Sequence, residues 1–225
     1  MTGLIDTTEM YLRTIWELLE EGVAPLRARI AERLQQSGPT VSQTVSRMER
    51  DGLLRVHEDR RILLSEEGER LAMDVMRRHR LAERLLVDVI RLEWPLVHEE
   101  ACKWEHAMGE AVEVKLVTLL ADPELSPYGT PIPRLDDSVG AALERFRSGV
   151  QSLAERCDGS PVTVTLARIG EYLQRDADAL GALAEAGVLP GVAIVAECDR
   201  TRLTLRGPEG ECALDAVWAD QLFVR

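Results

Sequence analysis

The apolar positions of the first part of the chain follow a helical period three times and then an alternating period. Asp6 and Glu9 have capping-box spacing at the start of the first helix, and Gly22 and Gly52 end the first and third helices. Pro39 suits the first turn of the third helix. The predicted elements are helices at 6–20, 26–34 and 39–50 and the strands of a β-hairpin at 53–57 and 61–65. Three helices followed by a hairpin indicate a winged helix-turn-helix domain.

The remainder of the chain is first helical and then rich in short strands. One long helical pattern, 66–93, carries an apolar stripe that is wider than one monomer of this size needs to cover. Further predictions are helices at 95–108 and 110–120, an irregular proline-rich connector at 122–138, and an amphipathic stretch at 140–156 that favours a helix. Strands are predicted at 162–166, 191–198, 202–205 and 221–224, with a helical piece near 174–186.

These patterns predict a mainly α protein with a carboxy-terminal β domain. The predicted divisions are a winged helix-turn-helix domain at 1–65, a helical domain at 66–121, a linker at 122–160, and a small β-barrel of the Src-homology type at 161–225. The length of 225 residues allows one large domain or two to three small ones, each able to bury a core.

Charge is distributed unevenly along the chain. The net charge is −12, yet residues 24–61 contain eight arginines and five acidic residues. Such a basic face can bind DNA on an acidic body, because salt screens charges beyond roughly 8–10 Å. The chain has no run of about twenty apolar residues, so no membrane span is expected. Its four scattered cysteines are typical of a reducing compartment, and the expected location is the cytoplasm.

The third predicted helix has an apolar face and a polar face. Val41, Val45 and Met48 recur at helical spacing and are predicted to face the core. On the polar face, Gln43 can hydrogen-bond a base edge and Pro39 can contact a thymine methyl group. The candidate DNA-binding residues are Arg27, Ser37, Pro39, Thr40, Ser42, Gln43, Arg47, Arg50 and Arg60. Spacing alone fits a small helical bundle with a solvated polar face equally well, and the attached hairpin favours DNA binding.

Several metal-ligating side chains stand at helical spacing inside the apolar stripes of two neighbouring helices. They are His79, Glu83, His98, Cys102, Glu105 and His106. Burying such groups without a partner costs several kcal/mol, so a divalent cation between the helices would satisfy them. Met10 stands on the polar face of the first helix beside Arg13, Thr14 and Glu17, and its thioether would complete a mixed soft and hard site for late first-row ions. Each residue alone is more commonly a hydrogen-bonded core residue than a ligand, whereas seven positions in two sets favour metal.

Long stretches of the chain carry the motifs of one family. They are DTTEMYLRTIWEL at 6–18, PLRARIAERLQQSGPTVSQTVSRMERDGL at 25–53, MRRHRLAERLL at 76–86, and the run that contains His98, Cys102, Glu105 and His106. With these motifs the chain resembles the diphtheria toxin repressor and iron-dependent regulator family of actinobacteria. The resemblance is near-complete to about Pro133 and looser beyond it, where residues 136–160 look longer and more helical than the family linker.

The resemblance implies two metal sites in each subunit. The activating site would use Met10, Cys102, Glu105 and His106. The ancillary site would use His79, Glu83 and His98, with Glu171 and Gln174 of the segment IGEYLQ supplied by the third domain. The manganese-sensing branch of the family is similar in fold but carries acidic residues at the positions of Met10 and Cys102. The resemblance therefore implies iron.

The resulting hypothesis is a transcriptional repressor that is activated by Fe2+, for which Mn2+, Co2+, Ni2+ or Zn2+ could substitute. It would bind palindromic double-stranded operator DNA as a homodimer or a pair of dimers and control genes of iron uptake and homeostasis. Metal would join Met10 to the helical domain and so set the distance between the two reading helices of the dimer. Neither a membrane nor a small organic ligand is expected as a partner.

Two other function classes fit parts of the pattern. A metalloenzyme is disfavoured because no obvious general base or nucleophile remains once the ligands are assigned. A winged-helix regulator that senses a small organic ligand would leave His79 and its neighbours with only a structural role. Metal analysis of the purified protein separates that case from the metal-activated repressor.

Overall fold

Three helices and a two-stranded hairpin begin the structure, a computed structural model that describes residues 6–225. They are α1 Thr7–Glu20, α2 Arg27–Leu34, α3 Gly38–Arg50, β1 Leu54–Val56 and β2 Ile62–Leu64. Asp6 caps α1 by accepting from the backbone N–H groups of Thr8 and Glu9, and Ser37 caps α3 by accepting from Thr40. The predicted winged helix-turn-helix layout is confirmed. The first five residues of that predicted domain lie outside the described residues.

The core of this part is built from the faces that the helical period predicts. Tyr11, Ile15 and Trp16 of α1 belong to the same buried cluster as Val45 and Met48 of α3, and all five side chains are inaccessible to solvent. Burial of a large apolar side chain contributes about 1.5–3 kcal/mol. The position of α3 is therefore tied to the position of α1.

A long helix follows the hairpin. The helices of this part are α4 Glu66–Leu85, which continues as a π-helical turn over Leu86–Ile90, then α5 Val97–Trp104 and α6 Glu110–Leu119. A Cβ atom on Gly68 would lie 2.0 Å from the carbonyl oxygen of Leu53, so glycine is required where α4 passes this close to the hairpin. The α5 helix ends earlier than the sequence pattern predicts, because the chain turns there to begin α6. Glu105 and His106 lie in that turn.

The stretch between these helices and the sheet is only partly irregular. Residues 122–138 contain no helix or named strand, as their prolines predict, but Tyr128 and Thr130 within them are buried. A helix, α7 Val139–Arg147, packs on α1. It ends sooner than predicted, and Gly149 just beyond it has a left-handed φ of 68°. The strand β3, Gln151–Ser152, then joins the carboxy-terminal sheet, which thus begins inside the range predicted as a linker.

An antiparallel sheet of the Src-homology type forms the carboxy-terminal part. Its other strands are β4 Val162–Ile169, β5 Ala193–Cys198, β6 Arg202–Arg206, β7 Glu211–Asp215 and β8 Leu222–Val224. The six strands lie in the order β3-β8-β4-β5-β6-β7, and two helices, α8 Glu171–Gln174 and α9 Ala177–Glu185, follow β4. The sequence prediction missed β3, which has two residues, and β7, an edge strand with acidic ends.

The sheet and the helical part share one apolar core. Ala82 of α4, Ala101 of α5 and Leu173 of α8 all belong to it and are buried. This packing brings α8 against the helices that carry the candidate ligands. Among the described residues, no helix combines the length and the apolar character that crossing a bilayer requires.

Candidate metal centre

Four buried side chains from three helices meet at one point. They are His79 and Glu83 of α4, His98 of α5 and Glu171 of α8, and their donor atoms all lie within 4.8 Å of one another. His79 Nε2 lies 2.9 Å from Glu83 Oε1 and 3.2 Å from His98 Nδ1. Gln174 Oε1 approaches the same His98 nitrogen at 3.1 Å. The five residues that the resemblance implies for the ancillary site therefore lie together.

Two oxygens of this cluster, Glu83 Oε2 and Glu171 Oε2, are buried without a hydrogen-bond partner. An unsatisfied buried acceptor costs about 1–3 kcal/mol, and more when it is charged. Two imidazoles and two carboxylates within 4.8 Å of one another, with an amide oxygen 3.1 Å from His98 Nδ1, are a donor set that suits a divalent first-row ion. Both the unpartnered oxygens and the donor set fit a metal ion.

A second set of donors lies beside the first. Met10, Cys102, Glu105 and His106 line one cavity of about 280 Å³. Cys102 Sγ is 3.5 Å from His98 Nε2, so the two sets are in contact. His106 pairs through Nδ1 with Glu9 Oε2 at 2.6 Å, which draws its ring toward α1. Among residues 6–225, the groups of three or more donors within 4.8 Å of one another include Cys102 but neither Glu105 nor His106, so the second set is less closely gathered than the first.

The face of α1 that carries Met10 is less exposed to solvent than its polar residues predict. Arg13, Thr14 and Glu17, which share its face of α1, are buried, and Met10 itself is half-buried. This face packs against α4 and the α5 segment, which supply polar partners such as Cys102 for its charged groups. The polar face of α1 is therefore an internal surface beside the candidate metal ligands.

The guanidinium of Arg13 lies between the two donor sets, and the sequence prediction did not identify it. Its Nη1 donates to Glu105 Oε2 at 2.7 Å and to Cys102 Sγ at 3.1 Å. The same nitrogen lies 3.0 Å from His79 Nδ1. A spacing of three residues from Met10, on the face of a candidate ligand, is the sequence signal that could have pointed to it.

A second arginine, Arg80, was also missed. It is fully buried and donates to both carboxylate oxygens of Glu20, at 2.9 and 2.6 Å, and to the backbone oxygen of Pro131 at 2.6 Å. Its Nε and Nη2 donate to Glu171 Oε1 at 3.0 and 2.9 Å. Arg80 therefore connects α1, α4, the connector and α8 beside the first donor set.

Neighbouring charges set the protonation of the donors. Loss of solvation would raise the pKa of the Cys102 thiol, but the charges of Arg13 and His98 hold that pKa well below its usual value. Burial would lower the pKa of His98, and the Cys102 charge instead raises it to about 9. Burial would raise the pKa of Glu105, but the charges of Arg13 and His79 lower it to about 2. These shifts favour the anionic forms of Cys102 and Glu105, which can bind a metal ion, and the protonated form of His98, which cannot.

The predicted DNA-binding residues lie on and around α3. Ser37, Pro39, Thr40, Gln43, Arg47 and Arg50 are exposed, Ser42 and Arg27 are half-buried, and Arg60 is exposed in the hairpin turn. Val41, Val45 and Met48 are buried on the opposite side of α3, as predicted. The polar face of α3 is therefore accessible to a DNA groove.

Two parts of the chain match descriptions of one family. Residues 3–62 match "Iron dependent repressor, N-terminal DNA binding domain", and residues 65–134 match "Iron dependent repressor, metal binding and dimerisation domain". The chain is 58% identical to the iron-dependent repressor IdeR of Mycobacterium tuberculosis over 198 residues, which cover 88% of this chain and 86% of that protein. It is 51% identical to the diphtheria toxin repressor of Corynebacterium diphtheriae over 191 residues, which cover 85% and 84% of the two chains.

Solved structures with the same fold include metal-dependent regulators. A manganese-dependent transcriptional repressor in complex with manganese aligns with a TM-score of 0.78 at 27% sequence identity, covering 97% of this chain and 99% of that one. The repressor ScaR with bound Zn2+ aligns with a TM-score of 0.76 at 26% identity, covering 97% and 99%.

Proposed function

Since the chain belongs to the iron-dependent repressor family, whose members are metal-activated transcriptional repressors and not enzymes, we propose that ferrous iron is its activating ion. The observation that carries this proposal is the second donor set, in which a thioether from Met10 and a thiolate from Cys102 accompany a carboxylate and an imidazole. Manganese prefers oxygen ligands, whereas sulfur and nitrogen donors suit softer first-row ions. The identity of 58% to an iron-dependent repressor, against 27% to a manganese-dependent one, supports the same choice.

In this proposal the ligands of the activating site are Met10, Cys102, Glu105 and His106. The ligands of a second, ancillary site are His79, Glu83, His98, Glu171 and Gln174. When bound, the ion would supply a link between α1 and the α5 segment. Because α1 and α3 share one buried core, holding α1 against α5 also holds the reading helix. Gln43 and Pro39 would then face base edges, and Arg47 and Arg50 would face phosphates.

The family's dimerisation function has support on the surface of this chain. Within the part that matches the metal binding and dimerisation description, several large apolar side chains are about half exposed, among them Val89, Ile90, Val112, Val114 and Leu119. A dimer interface would remove these side chains from water, and large exposed apolar patches mark such interfaces. A symmetric dimer presents two α3 helices, and these match half-sites about 34–36 Å apart only when the subunits hold them at that spacing.

The test is retardation of a palindromic operator DNA under anaerobic conditions across a chelator-buffered Fe2+ titration. Fe2+ should tighten binding by about tenfold or more, and Cys102→Ala should remove that response because the thiolate ligand is lost. The matched control is Cys157→Ala, a half-buried thiol between β3 and β4, which should respond like the unmodified protein. Equal retardation with and without iron would reject iron activation. A normal iron response in Cys102→Ala would reject the activating-site assignment.

A further inference from the structure

Arg13 satisfies the donors that the activating site would need. Its side chain is 5% exposed and makes two charge-assisted contacts, to Glu105 Oε2 at 2.7 Å and to Cys102 Sγ at 3.1 Å. A guanidinium is a donor only and is always charged, so both contacts use lone pairs of the sulfur and the carboxylate. A metal ion bound by Cys102 and Glu105 would need lone pairs of these same atoms.

We propose that Arg13 is an internal cation that competes with the activating metal ion for Cys102 and Glu105, and so sets the metal concentration at which the protein responds. This inference rests on the proposed activating site. It makes Arg13 a residue that determines affinity without being a ligand. Withdrawal of the guanidinium is a step that accompanies metal binding, and its energetic cost lowers the affinity of the site.

The surroundings offer a place for the withdrawn guanidinium. Glu17, one turn further along α1, is buried, and its Oε1 lies 3.2 Å from Arg13 Nε. That contact is within ion-pair distance, yet Nε lacks a properly aligned hydrogen-bond acceptor. A rotation toward Glu17 would therefore gain a hydrogen bond while freeing the sulfur and the carboxylate. Arg175 pairs weakly with the same Glu17 carboxylate, at 3.3 and 3.4 Å, and leaves capacity for a second donor.

The position of the Arg13 guanidinium favours competition over a purely structural role. Arg13 Nη1 lies 3.0 Å from His79 Nδ1, and the same His79 nitrogen lies 2.5 Å from Glu105 Oε2. The guanidinium charge is therefore held by Glu105 at the edge of both donor sets. A metal ion would bring further positive charge to this place, so the departure of Arg13 relieves repulsion as well as freeing ligands.

A competing role and a positioning role of Arg13 predict opposite changes in metal affinity when the guanidinium is removed. If Arg13 only positions Cys102 and Glu105, its removal loosens the site and weakens metal binding. If it competes, its removal leaves two unpaired negative groups and strengthens metal binding, while the protein without metal loses stability. We expect Arg13→Gln to bind metal about tenfold more tightly or better, a change equivalent to about 1.4 kcal/mol, and to have a lower thermal midpoint in chelator.

The experiment is an anaerobic Co2+ titration of the full chain, with the thiolate-to-cobalt absorption band as the readout and a competing chelator to fix the affinity. Arg13→Lys is the second variant, because a single ammonium retains the charge but cannot reproduce the forked contacts. Its Co2+ affinity should lie between that of the unmodified chain and that of Arg13→Gln. The control is Arg29→Gln on α2, since Arg29 is 55% exposed and pairs with Glu32, away from both donor sets and from Glu17. The affinity of this control should be unchanged.

The outcomes separate this inference from the proposed function. A thiolate band with unchanged or weaker Co2+ binding in Arg13→Gln would overturn competition and leave the activating site intact. If no thiolate band forms in the unmodified protein, the proposed site itself fails and the inference falls with it. Tighter binding in Arg13→Gln, with Arg29→Gln like the unmodified chain, is the expected result.

Discussion

Replacement of Arg80 by methionine removes the buried cation that connects three parts of the fold. The guanidinium holds Glu20 of α1 through two hydrogen bonds, Glu171 of α8 through two more, and the backbone oxygen of Pro131. Methionine matches the aliphatic stem of arginine and has neither a charge nor a donor. The variant therefore keeps the packing of the stem and loses the charge and all five hydrogen bonds.

The size of the effect follows from the two carboxylates left behind. Glu20 and Glu171 are both almost inaccessible to solvent, and loss of one partner from a buried ion pair costs about 3–5 kcal/mol. Burial already raises the pKa of Glu20 despite Arg80, and it opposes the charges that hold the pKa of Glu171 well below its usual value. Without Arg80 both pKa values in the folded protein must rise.

The same reasoning gives the pH dependence of the defect. A carboxyl whose pKa is higher in the folded than in the unfolded protein gains stability as the pH falls through the folded value. The loss in the free energy of unfolding should therefore be near 3–5 kcal/mol at about pH 7.5 and clearly smaller at about pH 5.5, where protonation neutralises the unpaired carboxyls.

Urea unfolding followed by circular dichroism, in chelator at both pH values, measures this difference. Arg70→Met is the matched control on the same helix, because Arg70 is 55% exposed and its pairs with Glu67 and Asp74 should contribute about 0–1 kcal/mol each. A loss below about 1 kcal/mol for Arg80→Met, or an equal loss at the two pH values, would refute the reasoning.

Two further predictions concern DNA and protons. Gln43→Ala should reduce the difference between the free energies of binding to operator and to random DNA by about 1–3 kcal/mol, because a base-edge contact is lost. Equal weakening of binding to both DNAs would make Gln43 a contact to the DNA backbone. Metal affinity should rise with pH between about 6 and 8, because His98, whose pKa is about 9, must lose a proton before it can bind. Calorimetry of Co2+ binding in buffers of different ionisation enthalpy counts the released protons, and no release would contradict this explanation.

Local pattern was sufficient for most helices and for two residues of the first donor set. Asp6 and Ser37 mark helix starts with their own side chains, and the four-residue spacing of His79 and Glu83 puts both on one face of α4. Gln174 could not be linked to His98 in this way, because 76 residues separate them. Its place in the cluster depends on how the sheet packs on the helices, and family resemblance supplied that link.

The polar face of α1 shows why periodicity failed elsewhere. A helical pattern treats charged residues as solvated, yet Arg13 and Glu17 are buried because they pair with each other and with groups from distant parts of the chain. The burial of Arg80 could not be predicted from the sequence for the same reason. Its partner Glu20 lies 60 residues earlier, and its partner Glu171 lies 91 residues later. Long-range charge pairing has no period, so only the folded structure reveals it.

These pairings connect both donor sets to the first helix. Glu171 has one oxygen on Arg80, which in turn holds Glu20 near the end of α1, and its other oxygen lies among the donors of the first set. Arg13, nearer the start of α1, contacts Cys102 of the second set. A change in the charge or geometry of either donor set therefore alters contacts made by α1. The α1 helix in turn shares its buried core with α3. Coupling between metal and DNA must be reciprocal, so an operator that selects one position of α3 should strengthen metal binding at sites to which α3 contributes no ligand.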